Sequence, residues 1–128
     1  MIVIDYASPT PIYEQVKTQI LSLITCGVWK PGDQLPSLRV MAGELSLNFN
    51  TIKKVFAQLE ADGVIVSRPG KGFFVAEGAR ENEAVLARAE AELTRALERA
   101  RAAGLSGERA AALVNTIFGK ENPNDSDP

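Results

Sequence analysis

Two short apolar-periodic segments, lying only a few residues apart between Leu35 and Leu59, constrain the fold of this chain more than any other feature. Apolar residues at i, i+3, i+4 and i+7 indicate that each segment is an amphipathic helix. A serine and an asparagine stand where N-caps are expected, because their side chains accept hydrogen bonds from free amides of the first helical turn. The caps and apolar positions are Ser37, Leu38, Met41, Ala42 and Leu45 in the first segment, and Asn48, Ile52, Val55, Phe56 and Leu59 in the second.

The connection between these helices, Ser46 and Leu47, allows only a tight turn. Two helices joined in this way suit a helix-turn-helix, whose second helix enters the major groove of DNA. Its exposed side chains would then read bases, since amides read adenine, lysine reads guanine or binds phosphate, and threonine contacts a thymine methyl group or a phosphate. The candidates are Asn48, Phe49, Asn50, Thr51, Lys53 and Lys54 at the second helix, with Ser37 and Arg39 at the start of the first.

A β-hairpin is predicted directly after the second helix. Residues 64–67 and 73–75 have the composition of strands, and residues 68–72, Arg-Pro-Gly-Lys-Gly, that of a loop. Gly70 and Gly72 let the backbone approach a surface closely while Lys71 presents a positive charge, which suits a phosphate or the minor groove. A solvated hairpin tip is the alternative for Gly-Lys-Gly taken alone. In this context the hairpin is interpreted as the wing of a winged-helix domain.

A first helix is predicted from Pro11 to about Cys26. Thr10 is expected to be its N-cap and Pro11 its first residue. Proline is tolerated at the first helical position, because the amide hydrogen that it lacks would have no partner within the helix. Cys26 is expected to be a small buried apolar residue rather than a redox group. Gly27 ends the helix, and its apolar stripe is formed by Ile12, Val16, Ile20, Leu23 and Ile24.

Charge is distributed unevenly along the 128 residues, whose formal net charge is −2. An apolar content of 45% is enough for a folded core, and the slight negative charge argues against a protein that coats nucleic acid without specificity. The excess of acidic residues lies entirely after residue 78, whereas residues 34–76 carry more cations than anions. Arg68 and Lys71 place part of this basic excess on the predicted hairpin.

The sequence gives no support for an enzyme, a metal-binding protein or a membrane protein. With one cysteine and no histidine, the chain has neither a disulfide pair, nor a ligand set for structural zinc, nor a Ser-His-Asp triad. No glycine-rich loop ends in Gly-Lys-Ser/Thr. We therefore expect no enzyme, metal or cofactor. Because no apolar run has the length of a membrane span and the N-terminus lacks a signal-peptide pattern, the expected compartment is the cytoplasm.

The C-terminal part predicts two further helices, over residues 79–118, after a DNA-binding domain at 1–78. Residues 80–103 are rich in Ala, Glu, Arg and Leu, and Ser106 is expected to cap the second helix. Two helices with apolar faces need a partner surface, either a second chain or the winged domain itself. Residues 119–128 are expected to be a disordered acidic tail. The residues predicted for dimerisation are Leu86, Ala89, Leu93, Leu97, Leu113, Val114, Ile117 and Phe118.

Six short motifs follow one another between residues 10 and 76. They are Pro-Ile-Tyr-Glu-Gln at 11–15, Gly-x-Trp-x-Pro-Gly-Asp-Gln-Leu-Pro-Ser-Leu-Arg at 27–39, Ala-x-x-Leu at 42–45, Asn-x-Asn-Thr-Ile at 48–52, Leu-Glu-x-x-Gly-Val-Ile at 59–65 and Gly-Lys-Gly-Phe-Phe-Val at 70–75. This order closely resembles the winged-helix domain of GntR-family bacterial transcription regulators. The Asn-x-Asn-Thr form and the two helices after the wing resemble its YtrA subfamily, which implies a homodimer.

The resemblance also implies roles for particular residues. Arg39, Asn50, Thr51 and Lys53 occupy DNA-contacting positions of the family, and residues 70–72 form the wing tip that enters the minor groove. Phe49 departs from the family pattern, in which arginine or proline is frequent at this position. Its ring is expected to pack either on a thymine methyl group or against the protein.

The sequence thus predicts a mainly α fold with a small β-hairpin, and a sequence-specific DNA-binding transcription regulator. A homodimer at a twofold-symmetric operator is expected, with repression favoured over activation. The alternative is a winged-helix adaptor that binds a protein partner without sequence-specific DNA binding. A small-molecule effector that changes operator affinity is compatible with the dimer, although no charged or metal-liganding cluster identifies one.

Overall fold

The computed structural model describes residues 2–121, in which five α-helices accompany one turn of 3₁₀ helix and a two-stranded antiparallel sheet. The predicted mainly helical fold with one hairpin is confirmed. In chain order the elements are α1 (Ile12–Thr25), α2 (Leu38–Leu45), α3 (Phe49–Ala61), β1 (Ile65–Arg68), β2 (Gly72–Val75), the 3₁₀ turn (Ala79–Glu81), α4 (Glu83–Ala102) and α5 (Gly107–Glu121).

Contacts divide the chain into two compact units. The first ends at Glu90 and is called here the winged-helix unit; the second begins at Ala91 and is called the C-terminal unit. The first two turns of α4 therefore belong to the winged-helix unit, where Val85 is buried. The boundary expected from composition lay twelve residues earlier, after residue 78.

The helix-turn-helix has the two predicted caps. Ser37 Oγ accepts a hydrogen bond from the amide of Val40 at 3.1 Å, and Asn48 Oδ1 accepts one from the amide of Asn50 at 2.7 Å. Between the two helices, Ser46 adopts a left-handed conformation with φ of 54°. The two caps fix where α2 and α3 begin, and hence which residues occupy the first turn of α3.

The hairpin pairs Ile65 with Val75 and Arg68 with Gly72, so each strand includes one more residue at the tip than predicted. A third segment, just before α2, runs along the outer edge of β2. The amide of Leu35 donates to the carbonyl of Phe73, and the amide of Val75 donates to the carbonyl of Asp33. The residues before α2 therefore hold the wing against the helices.

The hydrophobic core of the winged-helix unit lies where α1 and α3 pack together under the hairpin. The buried residues of α3 recur at every third or fourth position along the helix, as the periodicity of the sequence predicted. Phe56 is buried there, and its ring meets that of Phe73 edge-on at 5.0 Å between centroids. The other core residues with almost no exposure are Val16, Ile20, Ile24, Ile52, Val55, Leu59, Val64, Ile65, Val75 and Ala79.

The start and end of α1 differ from expectation. Pro11, not Thr10, is the N-cap residue, and no side chain caps this end. Proline accounts for this, because it fixes its own φ without needing a capping bond from the preceding residue. Cys26 is exposed rather than buried, since it follows the last residue of α1, beyond the face that packs on the core.

The chain before α1 is held by side-chain amides. Gln19 accepts from the amide of Val3 at 2.8 Å and donates to the carbonyl of the same residue at 2.6 Å. Gln15 bonds both backbone groups of Asp5 in the same way. The β-prone residues 2–4 therefore form no strand, because glutamines of α1 supply the partners that a neighbouring strand would give.

A break at Asn82 interrupts the long helix predicted over residues 80–103. Its Oδ1 accepts from the amide of Ala84 at 2.9 Å, and its Nδ2 donates to the carbonyl of Asp62 at 2.7 Å. The predicted cap of α5 is confirmed, because Ser106 Oγ accepts from the amide of Arg109 at 3.2 Å. α5 continues to Glu121, and the rest of the predicted tail lies outside the described residues.

Candidate nucleic-acid interface

α3 packs one face on the core and leaves the opposite face uncovered. Phe49, Asn50 and Lys53 are exposed along the first turn and a half of this helix, and Thr51 is half-buried. Asn48, predicted as a base-reading residue, uses its side-chain oxygen to cap the helix. The uncovered face thus combines an aromatic ring, an amide and an ammonium group within one helical repeat.

Three exposed cations of the helix-turn-helix and hairpin have no counterion within the described residues. Arg39 on α2, Lys53 on α3 and Lys71 at the hairpin tip are exposed, and within residues 2–121 none of them is in an ion pair. Unpaired surface cations carry labile counterions, so neutralising them with phosphates is favourable through counterion release. The arrangement is suited to a polyanion.

Two other predicted cations are engaged within the protein. The ammonium group of Lys54 lies 4.0 Å from the centre of the Tyr13 ring on α1, and the guanidinium carbon of Arg68 lies 4.6 Å from the centre of the Phe74 ring. Such cation–π contacts at exposed sites contribute about 0.5–1 kcal/mol. We therefore expect Lys54 and Arg68 to be less available for an external ligand than Lys53 and Lys71.

The hairpin tip is built on two glycines with positive φ, 72° at Gly70 and 116° at Gly72. Between them, the amide of Lys71 donates to the carbonyl of Arg68, and Lys71 is exposed. A β-carbon added at Gly72 would lie 3.2 Å from Nε2 of Gln34. Glycine is therefore favoured here by its backbone conformation, and a β-carbon would also require a small shift of the Gln34 side chain.

Gln34 is a contributor to this site that sequence reasoning missed. Its Nε2 donates to the carbonyl of Lys71 at 2.7 Å, which ties the hairpin tip to the segment before α2. Gln34 precedes Lys71 by 37 residues, and neither hydrophobic periodicity nor capping rules connect positions so far apart. The one feature that marks Gln34 is its position in the segment before α2 that pairs with β2.

Metal binding and membrane spanning have no structural basis in the part of the chain that the structure describes. No group of His, Cys, Asp or Glu side chains there is placed to hold a metal ion. No described helix is both long and apolar enough to cross a membrane.

Comparison with protein families gives a match over the helix-turn-helix and hairpin. The profile of "Bacterial regulatory proteins, gntR family" matches residues 12–75. Among characterised relatives, the HTH-type transcriptional repressor YtrA of Bacillus subtilis (strain 168) is 44% identical over 80 residues, which are 62% of this chain and 62% of that protein. The chain thus spans less than two thirds of the length of this relative.

Solved structures extend the similarity to the fold. A structure described as YtrA from Sulfolobus acidocaldarius, a GntR-family transcription factor, has a TM-score of 0.58 and 37% identity, covering 76% of this chain and 97% of that one. The structure of AraR(DBD) in complex with operator ORX1 has a TM-score of 0.53 and 30% identity, covering 58% of this chain and 92% of that one. The second of these contains operator DNA.

Proposed function

We propose, since this chain belongs to the GntR family of bacterial regulatory proteins, that it is a homodimeric transcriptional repressor that binds a twofold-symmetric DNA operator. The observation that carries this proposal is the exposed face of α3 with Asn50 and Lys53, together with the exposed cations Arg39 on α2 and Lys71 at the hairpin tip, which form no ion pair within the described residues. The complex of AraR(DBD) with its operator supports the assignment of DNA as the ligand. The protein would act in the cytoplasm, where bacterial DNA lies.

In the proposed complex, α3 enters the major groove by its first turns. Asn50 and Lys53 would contact base edges, since an amide pairs with adenine and an ammonium group with guanine. Arg39 and Lys71 would contact phosphates on either side or, for the wing tip, the adjacent minor groove. Phosphate contacts would set the register of the helix, and base contacts would select the sequence.

We assign dimerisation to the exposed apolar residues of α4 and α5, most of which lie in the C-terminal unit. Large apolar side chains there are strongly exposed, among them Leu93 at 53% and Phe118 at 62%. Several large apolar side chains exposed on the same two helices suggest an interaction surface, and a second copy of the same helices is the simplest complement. The exposed set consists of Leu93 and Leu97 on α4 and Leu113, Val114, Ile117 and Phe118 on α5, with Leu86 earlier on α4.

Selection of bound sequences from a random DNA library tests this proposal. We expect an inverted repeat whose half-sites are centred about 10 bp apart, one helical turn, as a twofold-symmetric helix-turn-helix dimer requires. A single unsymmetric half-site would contradict the dimer. A protein that retained no DNA even at low salt would contradict DNA recognition altogether and favour the adaptor alternative.

Replacing Lys53 by alanine tests base reading by α3. If its ammonium group contacts a base, we expect a loss of about 1–3 kcal/mol in operator binding and relaxed preference at one base pair. Fluorescence anisotropy with the selected operator and its single-base variants measures both. The matched control is Lys30→Ala, which removes an exposed lysine from the turn after α1 and should leave affinity unchanged. An even loss across all sequences would instead identify a phosphate contact.

Replacing Gln34 by alanine tests the tie between the hairpin tip and the segment before α2. The change removes one hydrogen bond that orders the carbonyl of Lys71, so we expect operator affinity to fall by about two- to tenfold. The slope of log affinity against log salt should stay the same, because no charge is removed. In contrast, Lys71→Ala should make that slope shallower by about one unit. Unchanged affinity in Gln34→Ala would show that the tip needs no such tie.

A further inference from the structure

A large aromatic side chain stands at the start of the uncovered face of α3. Phe49 is the first residue of this helix, and 41% of its side chain is exposed. Three other phenylalanines have partners, since the rings of Phe56 and Phe73 meet edge-on and Phe74 lies under Arg68. Within residues 2–121, Phe49 has no such ring contact and is not among the partly buried residues that pack on the core.

The backbone on both sides of Phe49 holds its Cβ in place. The hydrogen bond from the amide of Asn50 to Asn48 Oδ1 spans Phe49, and the amides of Thr51 and Ile52 donate to the carbonyl of Asn48 in the same turn. The Cβ of Phe49 is therefore held by a capped helix of 13 residues rather than by a mobile loop. Residues at this end of a recognition helix are the ones that meet base edges.

We propose that Phe49 contacts the C5-methyl group of one thymine in each half-site and thereby selects thymine at that position; this inference rests on the proposed DNA-binding function. A phenylalanine side chain has neither a strong hydrogen-bond donor nor an acceptor for pairing with base edges. In the major groove only thymine presents an apolar group, its methyl, and phenylalanine is among the side chains that contact it. Contact between the thymine methyl group and the Phe49 ring removes apolar surface of both from water, which favours binding.

Replacing single thymines by deoxyuridine in the selected operator tests this inference, because uracil lacks only the methyl group. One methyl group corresponds to about 0.8 kcal/mol, or about a fourfold change in affinity. We therefore expect one thymine in each half-site at which deoxyuridine weakens the full-length wild-type protein about fourfold, and about fifteenfold when both half-sites are changed. In Phe49→Ala the same replacement should have no effect. The titrations are done at low salt, so that weakened variants still bind.

The control variant is Val28→Ala, which shortens an exposed apolar side chain far from α3 in sequence and should reproduce the wild-type response to deoxyuridine. Two results would overturn the inference: no thymine at which the wild type responds, or a response that persists unchanged in Phe49→Ala. In both cases operator binding itself would remain, so the inference can fail while the proposed function stands. Failure of the wild type to select any DNA is the separate result that would overturn the proposed function.

Discussion

Replacing Phe56 by alanine is expected to lower the free energy of unfolding of the winged-helix unit by about 3–5 kcal/mol. Phe56 is 1% exposed and its ring packs edge-on against Phe73, so truncation leaves a cavity in the core. Small domains have total stabilities of about 5–15 kcal/mol, so this loss should unfold a measurable fraction at room temperature. Urea denaturation followed by the fluorescence of Trp29, the one tryptophan of the chain, measures it.

Phe49→Ala is the matched control for this prediction, since the same atoms are removed from an exposed site. We expect a change within about 0.5 kcal/mol, as for most surface substitutions. Trp29 packs against the core, so its emission reports unfolding in both variants. Equal losses in Phe56→Ala and Phe49→Ala would contradict the central place of Phe56 in the core.

The double replacement Leu93→Glu with Leu97→Glu is expected to produce a monomer and to weaken operator binding by at least about a hundredfold. Two carboxylates would be placed on the exposed apolar face of α4, and their burial in an interface is strongly unfavourable. In a dimer, binding of one subunit to its half-site raises the effective concentration of the other subunit at the second half-site. A monomer lacks this effect, which is worth a factor of about 10²–10⁴ in affinity. Sedimentation equilibrium gives the mass, and anisotropy gives the affinity.

The control for this pair changes the charge equally on the opposite side of α4. Ala91→Glu with Arg95→Gln also makes the chain more negative by two units, but these positions lie about half a helical turn away from Leu93. We expect this control to remain a dimer with wild-type operator affinity. Dissociation of both variants would point to net charge rather than the apolar face as the cause.

Local signals were enough to predict the helix-turn-helix and the wing. The caps Ser37 and Asn48 act within three residues of themselves, and the buried face of α3 repeats with the helical period, so each could be recognised from a short stretch. The hairpin was predicted to within one residue because Pro69-Gly70 marks its turn. Such features depend on neighbours in sequence, which is why they are readable without coordinates.

Features that depend on distant residues were missed. The amide of Gln34 bonds a carbonyl 37 residues away, and Lys54 on α3 lies over Tyr13 on α1. Neither contact leaves a periodic or compositional signal. Cys26 was expected to be buried because cysteine usually is, yet its position after the last turn of α1 exposes it. In each case the arrangement of elements, rather than local preference, decides the outcome.

Asn82 shows a further consequence of such distant contacts. One side-chain amide serves two helix ends, because its oxygen accepts from the amide of Ala84 at the start of α4 while its nitrogen donates to the carbonyl of Asp62 at the end of α3. Helix ends normally fray independently, each exposing its own free backbone groups. Here the fraying of either end removes one of the two bonds that hold the Asn82 side chain in place. We therefore expect opening of the last turn of α3 to weaken the first turn of α4 in local unfolding, and the reverse.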